Sequence, residues 1–173
     1  QGKDTGGPTK VSEVIVNGVY DRLGKLTGED KEKYKGIPTG FGLLDTYITG
    51  LNKSDFILIG ARPAMGKTSF ALNLASNVSM MARKKCVFFS LEMTKEQLAE
   101  RLLASRAGVP SHKLRTGELD NDEWVRLGNA AGQFNDVELY LDDTSSITVP
   151  EIKSRVRRMK DVDVIMIDYL GLI

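Results

Sequence analysis

Three residue types that often build functional sites are scarce in this sequence of 173 residues, which has one cysteine, one histidine and one tryptophan. The single cysteine, Cys86, excludes an internal disulfide, and a lone histidine, His112, disfavours a zinc site. Because nothing in the sequence calls for oxidising conditions, we expect a cytoplasmic protein.

The sequence also lacks a charge excess and a long apolar run. Its 24 Lys and Arg balance 23 Asp and Glu, so the net charge is +1 and no global field attracts nucleic acid or membrane. No apolar stretch reaches the ~18–20 residues of a membrane span, and the polar start of the chain has no signal-peptide core. With 41% hydrophobic and 27% charged residues, the composition is that of a globular protein, and a chain of this length predicts one domain plus an appendage.

The predicted appendage is residues 1–36, ahead of a globular core at residues 37–173. Residues 1–10 are polar and predict a mobile tail. Residues 11–26, which we call the linker helix, carry one apolar stripe at helical spacing, formed by Val11, Val14, Ile15, Val19, Leu23 and Leu26. A charged linker follows at residues 27–36. The stripe suits docking on another subunit or packing on its own domain, and the pattern does not separate the two.

Short apolar runs alternate with longer helical patterns in the core. Predicted strands lie at residues 56–59, 87–89, 137–141 and 162–167, and predicted helices at residues 66–82, 95–107, 121–134 and 149–159. Three of the helices start with a predicted capping box: Thr94 with Gln97, Asp120 with Glu123, and Thr148 with Glu151. The alternation predicts an α/β fold with a mostly parallel sheet and helices on both faces, which binds ligands beyond the carboxyl ends of its strands.

The strongest motif is a phosphate-binding loop (P-loop) between the first predicted strand and the next helix. Gly66, Lys67 and Thr68 end the relaxed pattern [AG]-x4-G-K-[ST], which starts here at Ala61. Gly66 permits close approach of phosphate, Lys67 supplies positive charge, and the Thr68 hydroxyl coordinates Mg²⁺. The predicted nucleotide-binding residues are Ala61, Arg62, Pro63, Ala64, Met65, Gly66, Lys67, Thr68 and Ser69. The motif predicts binding of ATP with Mg²⁺, and hydrolysis needs further residues.

Two carboxylates follow predicted strands and are candidates for that chemistry. Asp168 ends the apolar run at residues 162–167, where P-loop enzymes place the acidic residue beside the magnesium. The alternative is an Asp that caps a turn. Glu92 follows the strand at residues 87–89 and suits a general base that polarises water, or equally an acid in the first turn of the next helix.

Several segments together resemble the DnaB-type hexameric replicative helicases. They are residues 36–41 (GIPTGF) with Leu44 and Asp45, the P-loop at residues 60–68, residues 90–93 (SLEM) and residues 167–170 (IDYL). The resemblance implies a RecA-like ATPase core. It also implies that Glu92 is the catalytic base, that Asp168 and Thr68 serve the magnesium, and that Lys67 contacts the phosphates.

The resemblance further implies a replicative helicase motor, in which ATP hydrolysis between subunits of a homo-hexamer drives movement on single-stranded DNA. The linker helix would dock on the neighbouring subunit, and primase and a helicase loader are implied partners. Two departures from the family stand out: residues 51–55 lack a glycine or proline, and Gly171 replaces a usual glutamine. The chain ends before the expected DNA-contacting loops and arginine finger, so we expect an incomplete core.

Two other classes of function compete with this interpretation. One is a RecA-fold recombinase or circadian-clock-type ATPase, against which the SLEM segment argues. The other is a non-catalytic module that binds nucleotide to assemble subunits.

We also expect Trp124 to anchor the core, and we expect a basic cluster to form a solvated helix face; its members are Arg155, Arg157, Arg158 and Lys160.

Overall fold

A computed structural model describes residues 7–29, 31 and 35–169 of the chain. The predicted mobile tail therefore lies mostly outside the described residues, as do four positions of the charged linker and the last four residues of the chain.

A three-stranded parallel sheet organises the fold, with strands β1 (Cys86–Ser90), β2 (Leu139–Asp142) and β3 (Val164–Asp168) in the order β2-β1-β3. In register, Cys86 of β1 lies between Leu139 and Val164. The long connections between these parallel strands contain helices, as parallel pairing requires. The α/β prediction with a parallel sheet is confirmed.

The central strand β1 builds a core on both faces of the sheet because its side chains alternate in direction. Cys86 and Phe88 pack with residues of the helices after the P-loop and after β1. Val87 and Phe89 face the opposite side and pack with Ile147 and Ile152. All five residues of β1 are buried, which explains its unbroken apolar run. Burial also raises the pKa of the Cys86 thiol to about 12, so the thiol stays protonated and unreactive.

The predicted helices form close to the expected bounds. They are α4 (Lys67–Met80), α5 (Lys95–Ala107), α7 (Asn121–Gly132) and α8 (Val149–Met159). All three predicted capping boxes are present. In α5, Thr94 accepts from the backbone N–H of Gln97 while the Gln97 side chain accepts from the backbone N–H of Thr94. Two short helices were not predicted, α3 (Gly42–Ile48) and α6 (Ser111–Thr116).

The predicted linker helix is helical but not a uniform α-helix. Helix α1 (Val11–Val14) continues through a π-helical segment (Ile15–Tyr20) into helix α2 (Asp21–Thr27). No residue of these three segments is buried. Packing of the apolar stripe on its own domain is therefore not observed in the described part of the chain.

The strand predicted at residues 56–59 is wrong. These residues belong to no strand, and their side chains are exposed, with 78% of Phe56 and 70% of Leu58 accessible to solvent. Among the described residues, no backbone segment forms a ladder with this run. A strand requires a hydrogen-bonding neighbour as well as a suitable composition of β-branched and aromatic residues. The sequence pattern reports the composition but not the neighbour.

The expectation that Trp124 anchors the core is also wrong, because 60% of the residue is exposed. Helix α7 instead turns Glu123, Leu127 and Ala130 inward. Glu123 is tolerated there because its carboxylate accepts hydrogen bonds from the Lys113 ammonium and the Asp120 backbone N–H. These bonds lower the pKa of Glu123, the one from Lys113 contributing most.

Candidate nucleotide-binding site

The P-loop reaches α4 through two left-handed residues. Ala64 has φ of 63° and Gly66 has φ of 82°, and α4 begins at the next residue, Lys67. A Cβ at position 66 would meet no atom within 4 Å, so the glycine is required for its backbone conformation rather than for space. The predicted residues Ala61 to Gly66 are exposed, and Lys67 and Thr68 are half-buried. The unpaired amides at the start of α4 make this a favourable place for an anion.

The segment at residues 36–41 packs against α4 and forms a hydrogen bond with it. Phe41 stacks on Phe70 of α4, with ring centroids 5.0 Å apart. Asn77 of α4 donates to the carbonyl of buried Thr39, whose own N–H is held by Asp45. Gly40 is needed because an added Cβ would lie 2.5 Å from the Asn77 side chain. The segment therefore fixes the helix whose first turn carries Lys67 and Thr68.

The end of β3 meets the start of α4 through Asp168. The Thr68 hydroxyl donates to Oδ2 of Asp168 at 2.6 Å, and the Lys67 ammonium lies 2.9 Å from Oδ1. Asp168 is 5% exposed, so it forms these contacts away from bulk water, where charged hydrogen bonds are stronger. Both oxygens of one carboxylate thus join the two residues that the motif assigns to phosphate and metal.

The Lys67 ammonium has a second neighbour that no pattern in the sequence indicates. Its Nζ lies 4.1 Å from the ring centroid of Tyr169, within the range of a cation–π interaction. The available signal was a tyrosine next to the strand-ending Asp168, but no sequence pattern pairs an aromatic ring with a lysine about a hundred positions earlier.

Glu92 lies at the same edge of the sheet, in the turn after β1. Ser90 is paired in register with Asp168, and the N–H of Leu91 donates to the Asp168 carbonyl at 2.8 Å. The Ser90 hydroxyl accepts from the N–H of Met93, which closes the turn that carries Glu92. The Glu92 side chain is exposed.

The sequence left open the alternative that Glu92 is an acid in the first turn of α5. The N-terminal N–H groups of α5 have other partners. The N-terminal N–H groups of α5 are bound by Thr94 and by Asp143, whose carboxylate accepts from the N–H of Lys95. The acid in the first turn is Glu96. This arrangement favours a site role for Glu92, which stays a prediction.

The two acids that end and follow β2 have structural positions that the sequence did not reveal. Asp143 binds the start of α5 as described, and Asp142 pairs with Arg155 of α8. Burial alone would raise the pKa of Asp142, but hydrogen bonds from Arg155 and Thr144 lower it. Arg155 is thereby removed from the predicted solvated basic cluster, because it ties α8 to the sheet.

The residues present fit a magnesium ion. Thr68 and Asp168 bring a hydroxyl and a carboxylate together, and hard oxygen donors are what Mg²⁺ prefers. Within residues 7–29, 31 and 35–169 there is no group of three or more His, Cys, Asp and Glu that could hold a metal. That finding agrees with the chemistry, because Mg²⁺ at nucleotide sites needs only one or two carboxylates besides phosphates and water.

Fold and site together define an α/β protein of the P-loop class, with a strand-ending aspartate against the loop's lysine and threonine. The model of the family "DnaB-like helicase C terminal domain" matches residues 36–173. The chain belongs to this family, and its fold is RecA-like.

Curated relatives and solved structures agree with the family. The chain is 40% identical to the replicative DNA helicase DnaB of Geobacillus stearothermophilus over 176 aligned residues, which cover all of this chain and 38% of the relative. It is 41% identical to DnaB of Haemophilus influenzae, over 96% of this chain and 37% of the relative. The ATPase domain of G40P superposes with a TM-score of 0.81 at 31% identity, covering 96% of this chain and 59% of that one.

The chain thus spans less than two fifths of the length of these curated relatives. Within the part of the chain that the structure describes, no helix is long and apolar enough to cross a membrane.

Replacing Asp168 by Asn should destabilise the nucleotide-free protein by about 1–3 kcal/mol, because the Lys67 ammonium loses its charged partner. Urea unfolding of the purified chain measures this loss. Asp136→Asn is the matched control, since Asp136 is exposed. Equal unfolding free energies for the two variants would show that the Lys67–Asp168 pair does not stabilise the fold.

Proposed function

We propose that this chain is the motor domain of a replicative DNA helicase that binds and hydrolyses Mg-ATP. The observation that carries the proposal is the contact of Asp168 with Lys67 and Thr68, at 2.9 and 2.6 Å. It supports a phosphate and metal site at the carboxyl end of β3, where parallel sheets bind ligands. Relatives named replicative DNA helicase support the reaction to which this site is coupled.

The chain's own residues would act mainly by positioning and by neutralising charge. Residues 61–69 would hold the phosphate groups through backbone N–H groups at the start of α4. Lys67 would place its positive charge at the β- and γ-phosphates. Thr68 and Asp168 would hold Mg²⁺, which supplies further charge neutralisation when bound.

Glu92 would act as the general base. It follows β1 in the turn that is bonded to Asp168, and its exposed carboxylate is free of the α5 cap. A carboxylate at this edge can orient water and take its proton. An arginine from a neighbouring subunit would stabilise the transition state and add about 10³–10⁵ in rate, as such arginines do in related chemistry.

Assembly of a homo-hexamer would use the linker helix. Its apolar stripe is uncovered in the single chain: 47% of Val19 and 49% of Leu23 are exposed. A stripe of this kind on a helix ahead of the core is suited to a groove on another subunit.

The partners of the assembled ring would be single-stranded DNA, primase and a helicase loader, acting in the cytoplasm. A solved DnaB-like replicative helicase, described with its interactions with primase, superposes on this chain with a TM-score of 0.81. The near-neutral chain provides no global attraction for DNA, so local groups in the ring would make the contacts.

The Lys67→Ala variant of the full-length protein should lose ATP turnover and ATP-dependent unwinding of forked DNA, because the phosphates lose their principal cation. Phosphate release and strand separation, each with and without ATP, measure the two losses. Lys84→Ala, at a half-buried lysine after α4 whose ammonium lies 3.8 Å from Asp163, should keep both activities. Normal ATP turnover in the Lys67 variant would refute the proposed phosphate site. If the unmodified protein hydrolyses ATP but does not unwind forked DNA, the proposed helicase activity is refuted.

The Glu92→Gln variant should bind ATP with unchanged affinity and hydrolyse it about 10²–10⁴ times more slowly, because a general base typically contributes that factor. Equilibrium binding and single-turnover hydrolysis separate the two effects. Glu96→Gln, in the first turn of α5, is the control and should hydrolyse at the normal rate. An unchanged rate in the Glu92 variant would remove this residue from the mechanism.

The Val19→Asp variant should shift the full-length protein from hexamers to smaller species, because a carboxylate on the apolar stripe cannot be buried without a partner. Light scattering after size-exclusion chromatography measures the molar mass. Asn17→Asp introduces the same charge at an exposed polar position of the same helix and should leave the ring intact. Hexamers that persist in the Val19 variant would contradict assembly through the stripe.

A further inference from the structure

Lys67 lies between a carboxylate and an aromatic ring. Its ammonium is 2.9 Å from Oδ1 of Asp168 and 4.1 Å from the ring centroid of Tyr169. The lysine side chain is 28% exposed, so its charge is partly removed from water and its neighbours act on it with limited screening.

The two neighbours differ in what a bound nucleotide would do to them. A phosphate group and the oxygens of Asp168 are both anionic acceptors, and they compete for the N–H donors of one ammonium. The ring of Tyr169 is uncharged and attracts the ammonium through its π face, so it does not compete with phosphate oxygens. The ring contact can therefore persist while the carboxylate contact is exchanged.

Core packing does not account for the position of Tyr169. The residue is 39% exposed and belongs to none of the three apolar clusters of the core. Among the described residues, no hydrogen bond is formed by its hydroxyl group, so the contact with Lys67 depends on the ring alone. Removing the hydroxyl group should consequently change nucleotide affinity little, whereas removing the ring should weaken it.

We propose that Tyr169 is a positioning residue for Lys67, whose ring holds the ammonium at the phosphate site while its anionic partner changes. The proposal rests on the proposed nucleotide site and assigns to it a residue outside the P-loop. Tyr169 acts through Lys67 and needs no contact with the nucleotide itself.

The test is equilibrium binding of a fluorescent ADP to the full-length protein, which requires no turnover. Tyr169→Leu should weaken binding by about three- to tenfold, the range expected for a partly exposed cation–π contact. Tyr169→Phe keeps the ring and should bind within about twofold of the unmodified protein. Tyr140→Leu makes the same change at a tyrosine of β2 with similar exposure, 41%, and should leave binding unchanged.

A double-mutant cycle distinguishes positioning of Lys67 from a general effect on the loop. In a Lys67→Met background, Tyr169→Leu should cause no further loss of affinity, because the ring has no ammonium left to hold. Three results would each overturn the proposal. They are an equal loss of affinity in both backgrounds, normal ADP binding by Tyr169→Leu, and ADP binding by Tyr169→Phe that is as weak as by Tyr169→Leu. If Lys67→Met alone leaves ADP binding and ATP turnover normal, the proposed nucleotide site is refuted. If Lys67→Met impairs them, any of the overturning results above refutes only the role of Tyr169.

Discussion

The site depends on one carboxylate, that of Asp168, which joins the sheet to the P-loop helix. Its two oxygens bind Thr68 and Lys67, whose positions in the chain are about a hundred residues earlier. Without this contact, α4 and β3 would still share the core below the site, but no bond would fix Lys67 and Thr68 beside the end of β3. Because the carboxylate is buried, leaving it unpaired would be costly, so the loop is held where a phosphate and a metal can replace these contacts.

The central position of β1 makes that contact possible. Alternate residues of β1 pack against helices on the two faces of the sheet, so the strand is held from both sides. Its pairing with β3 sets Ser90 opposite Asp168 and places the turn with Glu92 at the same edge. Lys67, Asp168, Tyr169 and Glu92 are thus brought to one edge by packing that lies well below the site.

Local patterns in the sequence predicted the helices well. The expected bounds of α5 and α8 agree with the structure, since each has a capping box at its start. The same reasoning failed for residues 56–59, whose apolar composition predicted a strand that has no ladder partner among the described residues. It also failed for Trp124, because the inward face of α7 includes the neighbouring Glu123, which Lys113 neutralises.

Local residue patterns were sufficient to predict the α/β alternation, the helix caps and the P-loop, because each depends on residues a few positions apart. It also supplied Asp168 and Glu92 as acids after strands. Three contacts could be seen only in the folded chain: Asp168 binds Lys67 and Thr68, the Tyr169 ring lies beside the Lys67 ammonium, and Asp143 rather than Glu92 binds the start of α5. These contacts join distant segments, and their partners are selected by the pairing and packing of the whole sheet rather than by local preference.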